Sequence, residues 1–89
     1  MPRVRFTQFL QRYVDAPECD AAGTTVREAL ESVFAAHAAL RGYVLEDQGA
    51  LRRHVAIFVN GAQIKDRAAQ SDAVQAGDEI MIMQALSGG

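Results

Sequence analysis

The sequence predicts an α+β fold in which one main helix packs across one face of a mixed β-sheet. Segments typical of strands flank a single long amphipathic stretch, and an Asn-Gly pair in the second half marks a tight hairpin turn. The apolar stripe of one helix must be buried against another element, and here the strands supply that surface. With 89 residues, the chain has the size of one domain with a thin core.

The composition excludes several classes of protein. Hydrophobic residues make up 49 % and charged residues 22 % of the chain, as in ordinary globular domains, and the net charge of −2 argues against a surface built for nucleic acid. Cys19 is the only cysteine, so no internal disulfide can form. The sequence shows no signal peptide and no apolar run of membrane-spanning length. We therefore expect a cytoplasmic protein that binds neither membranes nor nucleic acid.

The first predicted elements are two short strands. Val4 and Phe6 alternate with polar residues, which predicts a strand with one buried face. A second, brief strand is expected from Glu18 to Ala21, and Gly23 ends it.

The main helix follows these strands directly. Thr25 and Glu28 form a capping-box pattern, whose hydroxyl and carboxylate satisfy free amide groups of the first turn, so the helix begins near Val26. We expect it to continue to Leu40, with Arg41-Gly42 as the stop. Its apolar stripe consists of Val26, Ala29, Leu30, Val33, Phe34 and His37.

The second half of the chain supplies the remaining strands. The run HVAIFV is rich in β-branched residues and ends at Asn60-Gly61, which predicts a strand, a tight turn and a short returning strand. A connecting segment then crosses the fold, and the turn AGD leads into a last strand from Glu79 to Gln84.

Three segments carry a family resemblance: TTVREALE at the helix start, HVAIFVNG before the hairpin turn and AGDEIMIMQALSGG at the C-terminal end. Together they resemble the ubiquitin-like sulfur carriers, which include the molybdopterin synthase small subunit and the thiamine-pathway sulfur carrier. The resemblance implies a ubiquitin-like β-grasp domain over residues 1–84 and a flexible tail over residues 85–89. Many relatives have a proline near the start of the tail, where this chain has Gln84 and Ala85.

The same resemblance implies a carrier protein and not an enzyme. The C-terminal glycine of such carriers, here Gly89, is adenylated by an activating enzyme that uses ATP. With sulfur from a sulfurtransferase it becomes a thiocarboxylate, which a sulfur-accepting synthase consumes. The small subunit of molybdopterin synthase, acting with the large subunit, is the commonest such role. No bound cofactor and no catalytic residue are expected on the chain itself.

The composition of the tail suits this chemistry. A free α-carboxyl group has a pKa of about 3.3–3.7, so it is an unreactive anion at neutral pH and must be activated inside a partner. Gly88 and Gly89 have no Cβ and can enter a narrow channel, with Leu86 and Ser87 threading behind them. Fully extended, the five residues reach about 16–18 Å. A frayed terminus without function is the alternative.

The residue pattern of two predicted strands indicates a surface on which partners could dock. Alternation along these strands turns Phe58, Met81 and Met83 away from the helix. Exposed apolar patches commonly mark partner surfaces, and methionine adapts to more than one partner. Alternatively, loops cover these three residues and they belong to the core.

Two other functions are compatible with the sequence. The activated glycine could end as an isopeptide on lysine, which would make the chain a protein modifier, although a single lysine, Lys65, disfavours chains built on the protein itself. The domain could also be an interaction module without C-terminal chemistry.

Other reactive residues give weaker signals. Cys19, His37 and His54 are the soft metal-ligand candidates, and they lack ligand spacing, so no metal site is expected. The stretch Leu51 to His54, LRRH, could contact a phosphate or an acidic partner, but a solvated strand start is favoured.

Overall fold

The computed structural model describes residues 1–6 and 18–84, and it confirms the predicted mixed sheet with one main helix. The elements are β1 (Arg3–Phe6), β2 (Glu18–Asp20), α1 (Val26–Ala36), a 3₁₀ turn (Ala38–Leu40), α2 (Arg41–Val44), β3 (Val55–Val59), β4 (Ala62–Gln63) and β5 (Glu79–Gln84). None of the helices in these ranges is long and apolar enough to cross a membrane.

The sheet has the strand order β2-β1-β5-β3-β4. β1 pairs antiparallel with β2 and parallel with β5, so the first and last strands lie side by side. β3 pairs antiparallel with both β5 and β4. The predicted hairpin turn at Asn60-Gly61 is confirmed, and both residues have the positive φ, 51° and 88°, that a tight two-residue turn requires.

The core lies between α1 and one face of the sheet. Five of the predicted stripe residues of α1 are buried, namely Val26, Ala29, Leu30, Val33 and Phe34. From the central strands, alternate residues meet them: Val4, Phe6, Val55, Ile57, Ile80 and Ile82. Because complete burial of an aliphatic side chain stabilises a fold by about 1.5–3 kcal/mol, this contact fixes which face of the sheet the helix covers.

The predicted end of the helix is wrong. α1 ends at Ala36, and His37 is the half-buried C-cap, with φ −135° and ψ 70° outside the helical region. Arg41-Gly42 does not stop a helix but opens α2, because the 3₁₀ turn redirects the chain and buries Leu40 and Val44 in the core. β2 likewise ends one residue earlier than expected, at Asp20.

The start of α1 is as predicted, with one change in its cap. The Thr25 hydroxyl accepts a hydrogen bond from the Glu28 amide at 3.2 Å. The Glu28 carboxylate accepts from the Thr24 amide at 2.7 Å, one residue before the cap. This bond and one from the Thr24 hydroxyl lower the pKa of Glu28.

The connecting segment before β5 is held to the helix by one buried polar residue. Gln70 is 0 % exposed, and its Nε2 donates to the carbonyl oxygens of Arg67 at 2.6 Å and Gly49 at 3.2 Å. Its Oε1 accepts from the Arg27 guanidinium at 3.0 Å. The amide side chain therefore joins α1, the loop after α2 and the connecting segment.

Candidate functional site

The predicted reactive segment follows β5, at one end of the sheet. Gln84, the last residue of β5, is the register partner of Val55, the first residue of β3. The end of β5 therefore lies where β3 begins, and we call this the Gln84 end of the sheet. The predicted thiocarboxylate residue Gly89 and the threading residues Gly88, Ser87 and Leu86 lie outside the described residues, so their roles stay predictions.

The three predicted docking residues lie together on the helix-free face. Phe58 is directly opposite Met81, and Ala56 is opposite Met83. Phe58 and Met81 are half-buried, whereas Met83 is 41 % exposed. We call these four residues, Ala56, Phe58, Met81 and Met83, the apolar patch. The structure thus brings the predicted residues together, and their docking role stays a prediction.

A charged rim borders the apolar patch on β1. Arg5 is the register partner of Met81, and its guanidinium lies 3.3 Å from the Glu79 carboxylate. Farther along the same face, Arg3 lies 3.4 Å from Asp20. Sequence reasoning missed this rim because alternation shows which face a residue occupies but not which strands are neighbours.

A turn network sets the register that assembles the patch. The Asn60 side chain donates to the Asp78 carboxylate at 3.0 Å and accepts from the Glu79 amide at 2.9 Å. Asp78 also accepts from the Gln75 amide at 2.8 Å, and these hydrogen bonds hold the pKa of Asp78 below its ordinary 3.8. The network ties the hairpin to the start of β5, so Phe58 faces Met81.

The other reactive side chains named from the sequence include Cys19. Cys19 is half-buried against the core, and burial, with a smaller effect of the Asp20 charge, raises the pKa of its thiol above 9.0. A protonated thiol is a poor nucleophile. Within residues 1–6 and 18–84, no three His, Cys, Asp or Glu side chains are grouped as metal ligands.

A basic segment lies at the Gln84 end of the sheet. Arg52, Arg53 and His54 line an open surface depression together with Glu46. They immediately precede Val55, the partner of Gln84. The sequence favoured a solvated strand start here, and the exposure of Arg53 and His54 just before β3 agrees with it. Only the pairing of β3 with β5 shows that the segment lies beside the end of β5.

Comparison with known proteins gives a consistent family assignment. The model of the ThiS family matches residues 4–89. The small archaeal modifier protein 1 of Haloferax volcanii is 38 % identical over 65 residues, which are 73 % of this chain and 70 % of that protein.

Solved structures show the same fold. The crystal structure of SAMP1 from Haloferax volcanii has a TM-score of 0.80 at 30 % identity, over 99 % of this chain and 98 % of that chain. A chain of the crystal structure of the Amycolatopsis orientalis BexX/CysO complex has a TM-score of 0.88 at 23 % identity, over 100 % of both chains. This second likeness shows the β-grasp fold alone.

Proposed function

The chain belongs to the ThiS family of ubiquitin-like sulfur carriers, and we therefore propose that it carries sulfur as a thiocarboxylate on the C-terminal carboxyl group of Gly89. The observation that carries this proposal is the family match over residues 4–89, which extends through the last strand and both terminal glycines. The family assignment confirms the resemblance seen in the sequence.

The proposed chemistry proceeds in two steps on a partner enzyme. A carboxylate oxygen of Gly89 attacks the α-phosphorus of ATP, which releases pyrophosphate and leaves an acyl adenylate. A thiol reduces the persulfide of a sulfurtransferase and is itself oxidised to a disulfide, which releases hydrosulfide. The hydrosulfide then attacks the carbonyl carbon and expels AMP. Adenylation is needed because the free carboxylate is an anion at neutral pH and offers no leaving group.

The apolar patch supports this proposal as the surface that an activating enzyme and a sulfur-accepting synthase bind in turn. Its two methionines lie on β5, the strand that leads toward the C-terminus, and Met83 is one residue from the end of that strand. Methionine side chains adapt to different partner shapes at low conformational cost. The molybdopterin synthase large subunit is the acceptor that we would test first, by asking whether it co-purifies with the chain.

The carrier proposal is tested by intact mass. The chain is incubated with ATP, a cognate activating enzyme, a sulfurtransferase with its sulfur source, and a thiol reductant. We expect the mass gain that corresponds to replacement of one oxygen by sulfur, and none for a chain that lacks Gly88 and Gly89. If the same enzyme thiolates its own known carrier but never this chain, the proposal is wrong.

A second candidate function, protein modification, is favoured by the relative that is 38 % identical and bears the name of a modifier protein. In this case the acyl adenylate would react onward to an isopeptide on a lysine. The test is a search for higher-mass conjugates in cell extract that disappear when Gly89 is removed. Replacement of Lys65 by arginine separates conjugates built on the chain itself from those on other proteins. If neither thiocarboxylate nor conjugate forms, the interaction module stands.

A further inference from the structure

The basic segment Arg52–His54 has no role in the sulfur-carrier chemistry proposed above. It lies at the Gln84 end of the sheet, immediately before the residue that pairs with Gln84. The depression that it lines together with Glu46 is open to solvent. The chain continues from Gln84 at this end of the sheet, so the segment lies close to where the C-terminal tail is attached.

The side chains of this segment are available for a partner. Arg53 and His54 are exposed, and within the described part of the chain no hydrogen bond or ion pair engages either side chain. Arg52 differs, since its Nε donates to the Gly42 carbonyl at 2.6 Å and its own carbonyl accepts from Arg67 at 2.9 Å. These two bonds fix the base of the segment and leave the Arg53 charge unpaired.

Most other arginines described here already have acidic neighbours. Arg3 pairs with Asp20, Arg5 pairs with Glu79, and Arg41 pairs with Glu31 at 3.0 Å. Their charges are largely compensated within the domain. Arg52 and Arg67 bond only to carbonyl oxygens, and Arg53 alone among the described arginines has a guanidinium group without any hydrogen bond or ion pair.

The net charge of the depression indicates that its partner is acidic. Two guanidinium groups face a single carboxylate, that of Glu46, so the depression is locally positive. The net charge of the chain is −2, so this positive depression differs in sign from the chain as a whole. Such an arrangement steers encounter and fixes the orientation of the complex more than it adds to affinity.

We propose that the basic segment docks on an acidic protein surface of the activating enzyme, beside the entrance that admits the C-terminal tail. The partner's identity rests on the proposed function, but the preference for acidic protein does not. Docking here would align the tail with its channel before the glycines enter, while the apolar patch supplies most of the contact area.

A first experiment tests the acidic preference without any enzyme. A short polyglutamate peptide is titrated into the full chain, and backbone amide NMR shifts are followed. We expect the largest shifts at residues 52–55, with Arg53→Gln weakening binding about two- to five-fold, the range of one exposed ion pair. Arg3→Gln removes the same charge at the opposite end of the sheet and should leave affinity unchanged. Equal weakening by both variants, or no shifts at the segment, overturns the proposal.

A second experiment uses the activating enzyme that adenylates the wild-type chain, with pyrophosphate release as the readout. Arg53→Gln should raise KM about two- to five-fold at low salt with kcat unchanged, and added salt should abolish the difference. Binding of a chain that lacks Gly88 and Gly89 should show the same dependence on Arg53. If the dependence disappears with the glycines, Arg53 acts through the two terminal residues and not through the enzyme surface, and the proposal is wrong.

Together, the two experiments distinguish failure of the docking proposal from failure of the sulfur-carrier function. When no activating enzyme accepts the wild-type chain, the sulfur-carrier function fails, and the peptide titration alone then decides whether the segment is an acidic-protein site. When the chain is activated but Arg53→Gln matches wild type in both assays, the docking proposal fails and the carrier function stands.

Discussion

The two faces of the sheet differ in how deeply their side chains are buried. On the face that α1 covers, Ile57, Ile80 and Ile82 are 0 % exposed, whereas on the other face Met83 is 41 % exposed and Phe58 only half-buried. The same strands supply both sets, one residue apart. Among the described residues, the long helix lies on one face of the sheet only, so the other face keeps partly exposed apolar side chains.

The residue types on the two faces match this division. The covered face is built largely from Val and Ile, whose branched side chains have few rotamers and pack in one arrangement. The helix-free face carries two methionines, a phenylalanine and ion-paired arginines, which tolerate water and can repack. Alternate positions of one strand can therefore serve different purposes: one set packs rigidly in the core, and the other set remains adaptable at the surface.

The largest effect should come from the covered face. Ile57→Ala removes completely buried methyl groups and leaves a cavity, which should lower the free energy of unfolding by about 2–5 kcal/mol. Met83→Ala, on the other face, should change it by no more than about 0.5 kcal/mol. Urea unfolding followed by circular dichroism measures both. Similar losses for the two variants would show that the faces are not distinct.

The helix-free face should respond in binding. Phe58→Asp places a charge in the apolar patch, and we expect the fold to persist while affinity for the activating enzyme falls about ten-fold or more. Gln63→Asp adds the same charge opposite Phe58 on the edge strand β4 and should have a smaller effect. Calorimetric titration gives the affinities. An unchanged affinity for Phe58→Asp removes the patch from the interface.

The polar contacts that position the covering helix should matter less than the core. Thr25→Ala removes the side chain that caps α1, at an expected cost of about 1 kcal/mol in the free energy of unfolding. Thr25→Ser keeps the hydroxyl and should recover most of that loss. The measurement is again urea unfolding. If the serine variant is as unstable as the alanine variant, the cap is not the cause.

The smallest effect is expected in the pH dependence of stability. The Asp66 carboxylate accepts hydrogen bonds from the Ser71 hydroxyl and from the Ala69 and Ala68 amides, which lowers its pKa below 3.8. Since the unfolded chain takes up the proton first, this stabilisation is complete above about pH 4 and is lost as the pH falls through the lower pKa of the folded state.

Asp66→Asn should therefore reduce the slope of stability against pH in the acid range, with urea midpoints at a series of pH values as the measurement. The neighbouring Asp72, whose pKa is lowered by the amides of Lys65 and Asp66, should behave in the same way. A slope identical to that of wild type in both variants would show that these turn carboxylates are not linked to folding.

Much of the fold followed from local patterns. The period-two alternation of β1, the β-branched run of β3, the Asn60-Gly61 turn and the start of α1 at Val26 depend on neighbouring residues alone, and all agree with the structure. The end of α1 could not be predicted from local patterns. Ala and Leu after Ala36 favour helix, whereas burial of Leu40 and Val44 against the core requires the chain to turn.

The candidate site divides in the same way. Alternation placed Phe58, Met81 and Met83 on one face, but the pairing of Phe58 with Met81 comes from contacts between distant segments, as does the place of Arg53 beside the end of β5. Sequence reasoning therefore found the patch and named the basic segment, but it gave neither the charged rim nor the position of the segment beside the end of β5.

The sequence by itself determined the fold class, the helix-facing side of each long strand and the family, because these depend on periodicity, turn residues and motifs that are local in the chain. Only the tertiary structure decided which strands are neighbours, where α1 stops and which charges remain unpaired at the Gln84 end. These features depend on contacts between residues far apart in sequence, whose energies no local pattern records.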